Sequence, residues 1–554
     1  MKKIIQNVKK NKLIYILIII SIIKILIVQV QPLNAKYAMK YDDQLMVNLA
    51  NNIIEGKWLG EYSKNTLIKG VFTPLFMVFI NILHIPFLLG KEIFYSISCI
   101  LFINVLKKKI KNTKILIIMF IALLFNPVEY SSELCRVYRD GIYTALIMYL
   151  ITAVLGIYLS RNEETKKQIK YYIGLGLSFS AIYLCREENI WLAPFLIGST
   201  IIILINIFTN RELKNKIQRI CLYLIPIFIT LISINTICFI NYKYYGVYTL
   251  NQYWGKEFKE AYGALTRVIP EEQKIRVPVT NETMDKIYEV SPKFAELREF
   301  FEGEKGKSWS NCGEKNENEI NGGYFHWALM EAVESKGYYK DAKTANNYYK
   351  QLAEEINKAC DEGHLNGRDK KRVSNTCYFT LHDIISVIKE IPHTIKYQYR
   401  YEEVSIEMKQ SAILLKNHEE IKKRFENITL QGETNVIKYE KKINNIRINI
   451  LLLIKKIYEF LNPYLFYISI AFFIIFIIYN IKNIIEVKEE VLILLGLLTI
   501  YVSRIFIITF TKTLMYEEAL NVSYLSSIYN IQILFALLTI QFLIKGVKRK
   551  NIVK

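Results

Sequence analysis

The chain has 554 residues, 52% of them hydrophobic and 22% charged, with a formal net charge of +21. A chain that is both so apolar and so charged must segregate the two, which excludes a single soluble domain. The positive charge lies in short clusters at Lys2, Lys3, Lys9, Lys10 and Lys12, at Lys107–Lys109, at Lys166, Lys167 and Lys170, and at Lys545, Lys548 and Lys550. That is the signature of cytoplasmic loops rather than of a nucleic-acid surface.

Taken in order, apolar runs near 13–30, 71–106, 114–128, 141–160, 171–186, 190–209, 218–240, 462–482, 489–510 and 524–544 predict about ten transmembrane helices, each long enough for a hydrocarbon core of roughly 30 Å. The first run lacks a small-residue cleavage site and reads as a retained helix, not a removed signal peptide. The run 71–106 is long for one crossing. Pro74 and Pro86 break it, and part of it is expected in the membrane interface. Basic ends place both termini in the cytoplasm, and an even number of crossings follows.

The expected fold is an all-α membrane protein in three parts. Residues 1–240 form an amino-terminal transmembrane module with an outer loop at 31–70, 241–445 a mainly helical extracytoplasmic insert, and 446–554 a carboxy-terminal transmembrane module. Within the insert, 324–357 reads as two helices broken at Lys336-Gly337, and 405–425 as another. The amphipathic, basic stretch 445–460 is expected to lie along the membrane surface. Cys99, Cys221 and Cys238 read as packing residues, while Cys312, Cys360 and Cys377 allow one disulfide outside the cell.

Chemistry-bearing residues gather on the outer face. Tyr41-Asp42-Asp43-Gln44 places two carboxylates just beyond the first span, ahead of an amphipathic helix able to lie on the bilayer. Next, Asn126-Pro127-Val128-Glu129-Tyr130 and Arg136-Val137-Tyr138-Arg139-Asp140-Gly141 precede a span. Arg136 and Arg139, three apart, are expected to share a helix face, and two guanidinium forks suit phosphate. Then Cys185-Arg186-Glu187-Glu188-Asn189 closes a tight hairpin whose charges are held at the membrane boundary, where partners are expected. Arg504, inside a span, calls for a counter-charge or a lipid phosphate.

A first span, an outer loop with an acidic pair, an amphipathic helix, a re-entry and a later outer acidic site resemble the GT-C glycosyltransferases over roughly residues 10–240. The chain also resembles a set of bacterial multi-pass membrane proteins through Asp42-Asp43, Trp58-Leu59-Gly60, Lys69-Gly70, Arg186-Glu187-Glu188 with Trp191, and Trp327-Ala328-Leu329. The GT-C resemblance implies an enzyme of the plasma membrane that moves a sugar, with inversion, from a polyprenyl-phosphate donor to a glycan or protein acceptor. By the same resemblance Asp42 or Asp43 is the general base, and Asp140, Glu187 and Glu188 form the second acidic site. Lys69, Arg136, Arg139 and Arg186 are the cations suited to the lipid phosphate. Two departures stand out. The soluble part lies between spans, and Arg139-Asp140 offers one carboxylate where oligosaccharyltransferases carry a metal-binding acidic triplet, so a divalent metal is left open and no other cofactor is implied. The alternatives are a lipid-linked glycan ligase or polymerase, and a non-catalytic transporter or scaffold.

Overall fold

A computed structural model of the chain describes residues 12–37, 39–312, 318–406, 419–432 and 438–553. The basic residues Lys2, Lys3, Lys9 and Lys10 lie outside the described residues, as do 407–418 of the helix expected over 405–425. Among the described residues the structure is helical, with a single isolated bridge between Val268 and Gly367.

The membrane part comprises α1 (Lys12–Val28), the short helices α2 (Asp43–Ile54) and α3 (Phe72–Ile82), then α4 (Phe87–Leu106), α5 (Thr113–Leu124), α6 (Asp140–Leu159), α7 (Thr165–Cys185), α8 (Ala193–Thr209) and α9 (Leu224–Tyr245). The insert is built from α10 (Lys256–Leu265), α11 (Asn281–Val290), α12 (Gly322–Ser335), α13 (Ala342–Asp361), α14 (Leu381–Tyr399) and α15 (Glu419–Thr429), joined by shorter turns of helix. Three long helices follow: α16 (Lys438–Tyr479), α17 (Lys488–Leu514) and α18 (Val522–Val553). Among the described residues, eight helical stretches are long and apolar enough to cross a membrane. The two further helices α1 and α7 pack among them, α1 on α4 and α7 between α6 and α9.

The run 71–106 divides at His84, which adopts a positive φ of 53°, and at Pro86, which caps α4. The resulting α3 has 11 residues, about 16 Å at ~1.5 Å per residue, too short to cross. Only α4 spans. Burial sorts the spans into inner and outer ones. In α6, 89% of the apolar window is enclosed by protein, against 22% for Ile190–Thr209 and 17% for Lys216–Tyr245. Ile197, Ile201, Ile205 and Phe208 of α8 accordingly form an exposed apolar stripe at helical spacing, the composition of a lipid-facing surface.

Two expectations need correction. The stretch 445–460 is not a separate surface helix but the first turns of α16, since nothing within it breaks a helix before Pro463. One face packs inward, where Leu451 meets Val28 and Tyr130 and Tyr458 donates to the Ala122 carbonyl at 2.8 Å, while Ile446, Leu453, Ile457 and Phe460 stay exposed. The apolar face of α2 (Leu45, Met46, Leu49 and Ala50) is covered by α3 and α15 rather than left for the bilayer.

In the insert, Gly337 turns the chain at φ 80° between α12 and α13, where the break was expected. The insert is seated on the bundle, not tethered to it. Thr509 of α17 donates to Thr394 of α14 at 2.9 Å, and Tyr501 to Gln398 at 2.9 Å. All eight cysteines are free, and Cys221 is exposed rather than packed.

Candidate active site at the insert-side end of the bundle

Asp42 and Asp43 begin α2, yet neither caps it. Asp42, at the cap position, makes no capping bond to the helix amides. Both carboxylates are turned toward cations from later segments. Asp43 is fully enclosed and gripped by Arg136, whose Nη2 reaches Oδ2 at 2.6 Å and whose Nε reaches Oδ1 at 3.5 Å, while the Lys36 amide donates at 3.4 Å. Asp42 is 30% exposed, pairs with Lys69, and stands 3.6 Å from Arg136. Burial pushes the Asp42 carboxyl up, but Lys69, its hydrogen bond and the nearby arginines outweigh it and hold it down at about 2. At Asp43 burial prevails over Arg136 and the pKa is raised.

Lys69 is aimed by its neighbours. A side chain at position 70 would place its Cβ 2.1 Å from the Leu184 carbonyl, so Gly70 lets the loop lie flat against the end of α7. The Lys69 ammonium donates to the Tyr138 hydroxyl at 2.8 Å and lies 4.7 Å from that ring's centre and 6.0 Å from that of Trp327, which α12 of the insert brings in. Burial lowers the Lys69 pKa to about 8 against the pull of Asp42.

Arg136 and Arg139 do not share a helix face, because α6 starts only at Asp140 and the residues before it run as irregular chain. They splay to either side of Tyr138, 5.2 and 5.5 Å from its ring centre. Arg139 reaches Glu187 at 3.5 Å and Glu188 at 3.6 Å. Arg186 pairs with Asp140 and, at 3.2 Å, with Glu188; it is not paired with its neighbour Glu187. Glu187 accepts instead from Asn251 of the insert at 2.7 Å. Burial and the adjacent Glu188 raise the Glu187 carboxyl, while at Glu188 the Arg139 and Arg186 guanidiniums overcome burial and hold it below its ordinary value. Arg504 donates twice to the Tyr524 carbonyl, at 2.9 and 2.7 Å, and lies 5.0 Å from the ring centre of Trp191.

All nine residues picked out in the sequence (Asp42, Asp43, Lys69, Arg136, Arg139, Asp140, Arg186, Glu187 and Glu188) therefore meet in one network. Tyr138, Asn251, Trp327 and Tyr524 join them. Tyr138 stood between two singled-out arginines and Trp327 in a motif of the bacterial resemblance, but Asn251 and Tyr524 come from distant segments whose local sequence announces no role here. Two features distinguish the network from a closed salt-bridge cluster. Arg139 and Arg186 each bury an Nε–H with no acceptor. A cavity of 390 Å³ opens on Asp42, Glu133, Arg136, Asp140, Glu403 and Glu518 together with Tyr138 and Tyr524, and none of Lys69, Arg139 and Arg186 lines it. Asp43 is not on its wall. Lower in the bundle an apolar groove of 160 Å³ runs between α8 and α17, past Phe195, Gly198, Ile202, Leu492 and Gly496. Gly496 is eight residues from Arg504 on the same helix, about 12 Å along it. Among the described residues no group of three or more His, Cys, Asp or Glu side chains is placed to hold a metal ion.

No protein-family model matches the chain, and no curated protein matches it. Among solved structures it is similar to ArnT from Cupriavidus metallidurans bound to undecaprenyl phosphate, at 9% identity and a TM-score of 0.33 over 96% of this chain and 78% of that one. The apo state of the same protein gives 9% identity and a TM-score of 0.32 over 94% and 78%.

Proposed function

We propose that this chain is an integral-membrane glycosyltransferase of the GT-C kind, moving a sugar from a polyprenyl-phosphate donor to a hydroxyl of a cell-envelope glycan or protein. In this reading it sits in the plasma membrane with both termini cytoplasmic and the insert outside. The observation that carries it is a half-open carboxylate, Asp42, paired with Lys69 on the wall of a cavity, in one network with two buried arginines whose Nε–H groups have no acceptor, above an apolar groove. An anionic headgroup on an apolar chain fits both halves of that arrangement.

In the mechanism, the polyprenyl chain lies in the groove between α8 and α17 and the phosphate meets Lys69, Arg139 and Arg186, the two arginines bonding its oxygens through the Nε–H groups that have no acceptor. Of the two aspartates, Asp42 is the base, because Asp43 is sealed by Arg136 and off the cavity wall. At rest Lys69 holds Asp42 too acidic to take a proton readily. A phosphate that draws Lys69 away leaves the half-open carboxylate with Arg136, at 3.6 Å, as its nearest counter-charge, and its proton affinity rises. Asp42 then takes the acceptor's hydroxyl proton as that oxygen attacks the anomeric carbon. The carbon–oxygen bond to phosphate breaks, its electron pair stays on the phosphate, and the anomeric centre inverts. No enzyme nucleophile is required.

The test is transfer of labelled sugar from polyprenyl-phosphate donors by the full chain in proteoliposomes. Asp42→Asn is expected to insert and fold normally yet lose about 10²–10⁴-fold in rate, the usual worth of a positioned base. An Asp42→Asn protein that transfers at the wild-type rate removes the assignment.

A further inference from the structure

Beneath the site lies a second set of charges that the mechanism leaves unused. Lys24 of α1, Lys91 and Glu92 of α4, and Glu129 of the turn between α5 and α6 are 0%, 2%, 4% and 2% exposed. Lys24 pairs with Glu92, and Lys91 lies 3.4 Å from the other Glu92 oxygen. Lys91 then donates to two backbone carbonyls, Glu129 at 2.6 Å and Leu134 at 3.2 Å. The Glu129 carboxylate accepts from Asn530 of α18 at 3.1 Å, and Asn530 accepts in turn from Asn126 at 2.8 Å. Gly141 fits close by: a Cβ there would lie 2.9 Å from the Leu134 carbonyl and 3.2 Å from the Lys91 stem.

Enclosing two lysines and two glutamates is expensive, and packed apolar side chains in their place are often as stable or more so. What an apolar side chain cannot do is fix the direction of carbonyls. The two that Lys91 holds lie in the irregular segment that goes on to present Arg136, Tyr138 and Arg139, the residues that must reach opposite walls of the site without a helix to orient them. We propose that Lys91 is a positioning residue: its ammonium pins the 129–134 backbone so that Arg136 faces Asp42 and Asp43 while Arg139 faces Glu187 and Glu188. Lys24 and Glu92 balance the charge on its far side. The consequence for turnover rests on the transferase reading; the pinning does not.

Two double variants separate this role from general stability, since each removes one buried cation and one buried anion. K91M/E129Q takes away the carbonyl bonds, and K24M/E92Q leaves them. In the detergent-solubilised full chain, amide hydrogen exchange at residues 130–139 is expected to speed up about tenfold or more in K91M/E129Q and to stay near wild type in K24M/E92Q. Affinity for a short-chain polyprenyl phosphate and kcat should fall by about tenfold to a hundredfold in the first variant only, as misplacement of site groups does. Lys91→Arg, able to bond both carbonyls, should restore most of the protection. Should K91M/E129Q fail to fold, K91Q/E129Q carries the same expectations. Equal exchange at 130–139 in the two doubles overturns the proposal. If wild type neither binds the lipid nor transfers sugar, the transferase reading falls while the exchange data still decide the pinning.

Discussion

The two ends of the bundle carry the same chemistry arranged to different effect. At the end away from the insert, Lys109 meets Glu489 at 2.6 Å and Glu490 at 3.0 Å, and Arg161 pairs with Glu489. Arg219 there gives its guanidinium to the Arg161 and Glu163 carbonyls, at 2.8 Å each. That cluster joins the loops after α4, α6 and α8 to the start of α17, and its buried leftover atom is an acceptor, Glu490 Oε2. At the insert side the leftover atoms are donors on Arg139 and Arg186, and a cavity stands beside the network they belong to. Donors in excess at a cavity are what an anion needs; an acceptor in excess inside a clamp is not. Ion pairs therefore do not mark a site by themselves. Under the transferase proposal, it is the unspent donors on the insert side that set that cluster apart from the clamp.

The strongest way to break the comparison is at Arg136. It is buried against a fully enclosed Asp43, so Arg136→Met strands a charge and is expected to cost about 3–5 kcal/mol of stability, seen as a large drop in thermal midpoint. Adding Asp43→Asn should recover much of that loss without recovering transfer, because Arg136 also faces the cavity. Full recovery of activity in the double variant would make Arg136 a structural residue only.

A smaller effect should appear in the pH profile. Lys69 is lowered to about 8 by burial, so its cationic form prevails below that value and is lost as pH rises through it. Rate or lipid-phosphate affinity should fall about tenfold per unit above pH 8. Lys69→Arg, charged throughout, should carry the activity it retains past that limb. A limb that stays at pH 8 in Lys69→Arg belongs to another group.

How far the site was legible follows from where its residues lie. Asp42-Asp43 and Arg186-Glu187-Glu188 stood out because carboxylates at a membrane boundary serve no insertion purpose, and apolar length alone marked the spans. The choice between Asp42 and Asp43 was not legible. The proposed choice of Asp42 turns on Arg136 sealing Asp43, a contact 93 residues away in the chain. The supposed shared face of Arg136 and Arg139 failed because the helix begins after them, and spacing has meaning only inside a helix. Arg504 gave no hint of its partner because that partner is a backbone carbonyl, which every residue has.

The mildest test sharpens the comparison from the other end. Glu489 carries ion pairs to Lys109 and Arg161 yet is 31% exposed, so water and salt already screen part of their worth. Glu489→Gln should therefore cost no more than about 1 kcal/mol, with the difference from wild type shrinking in high salt, and with kcat and KM unchanged. Were Glu489→Gln to slow transfer as Asp42→Asn is expected to, the two clusters would be one coupled system, and unspent donors would no longer tell a site from a clamp.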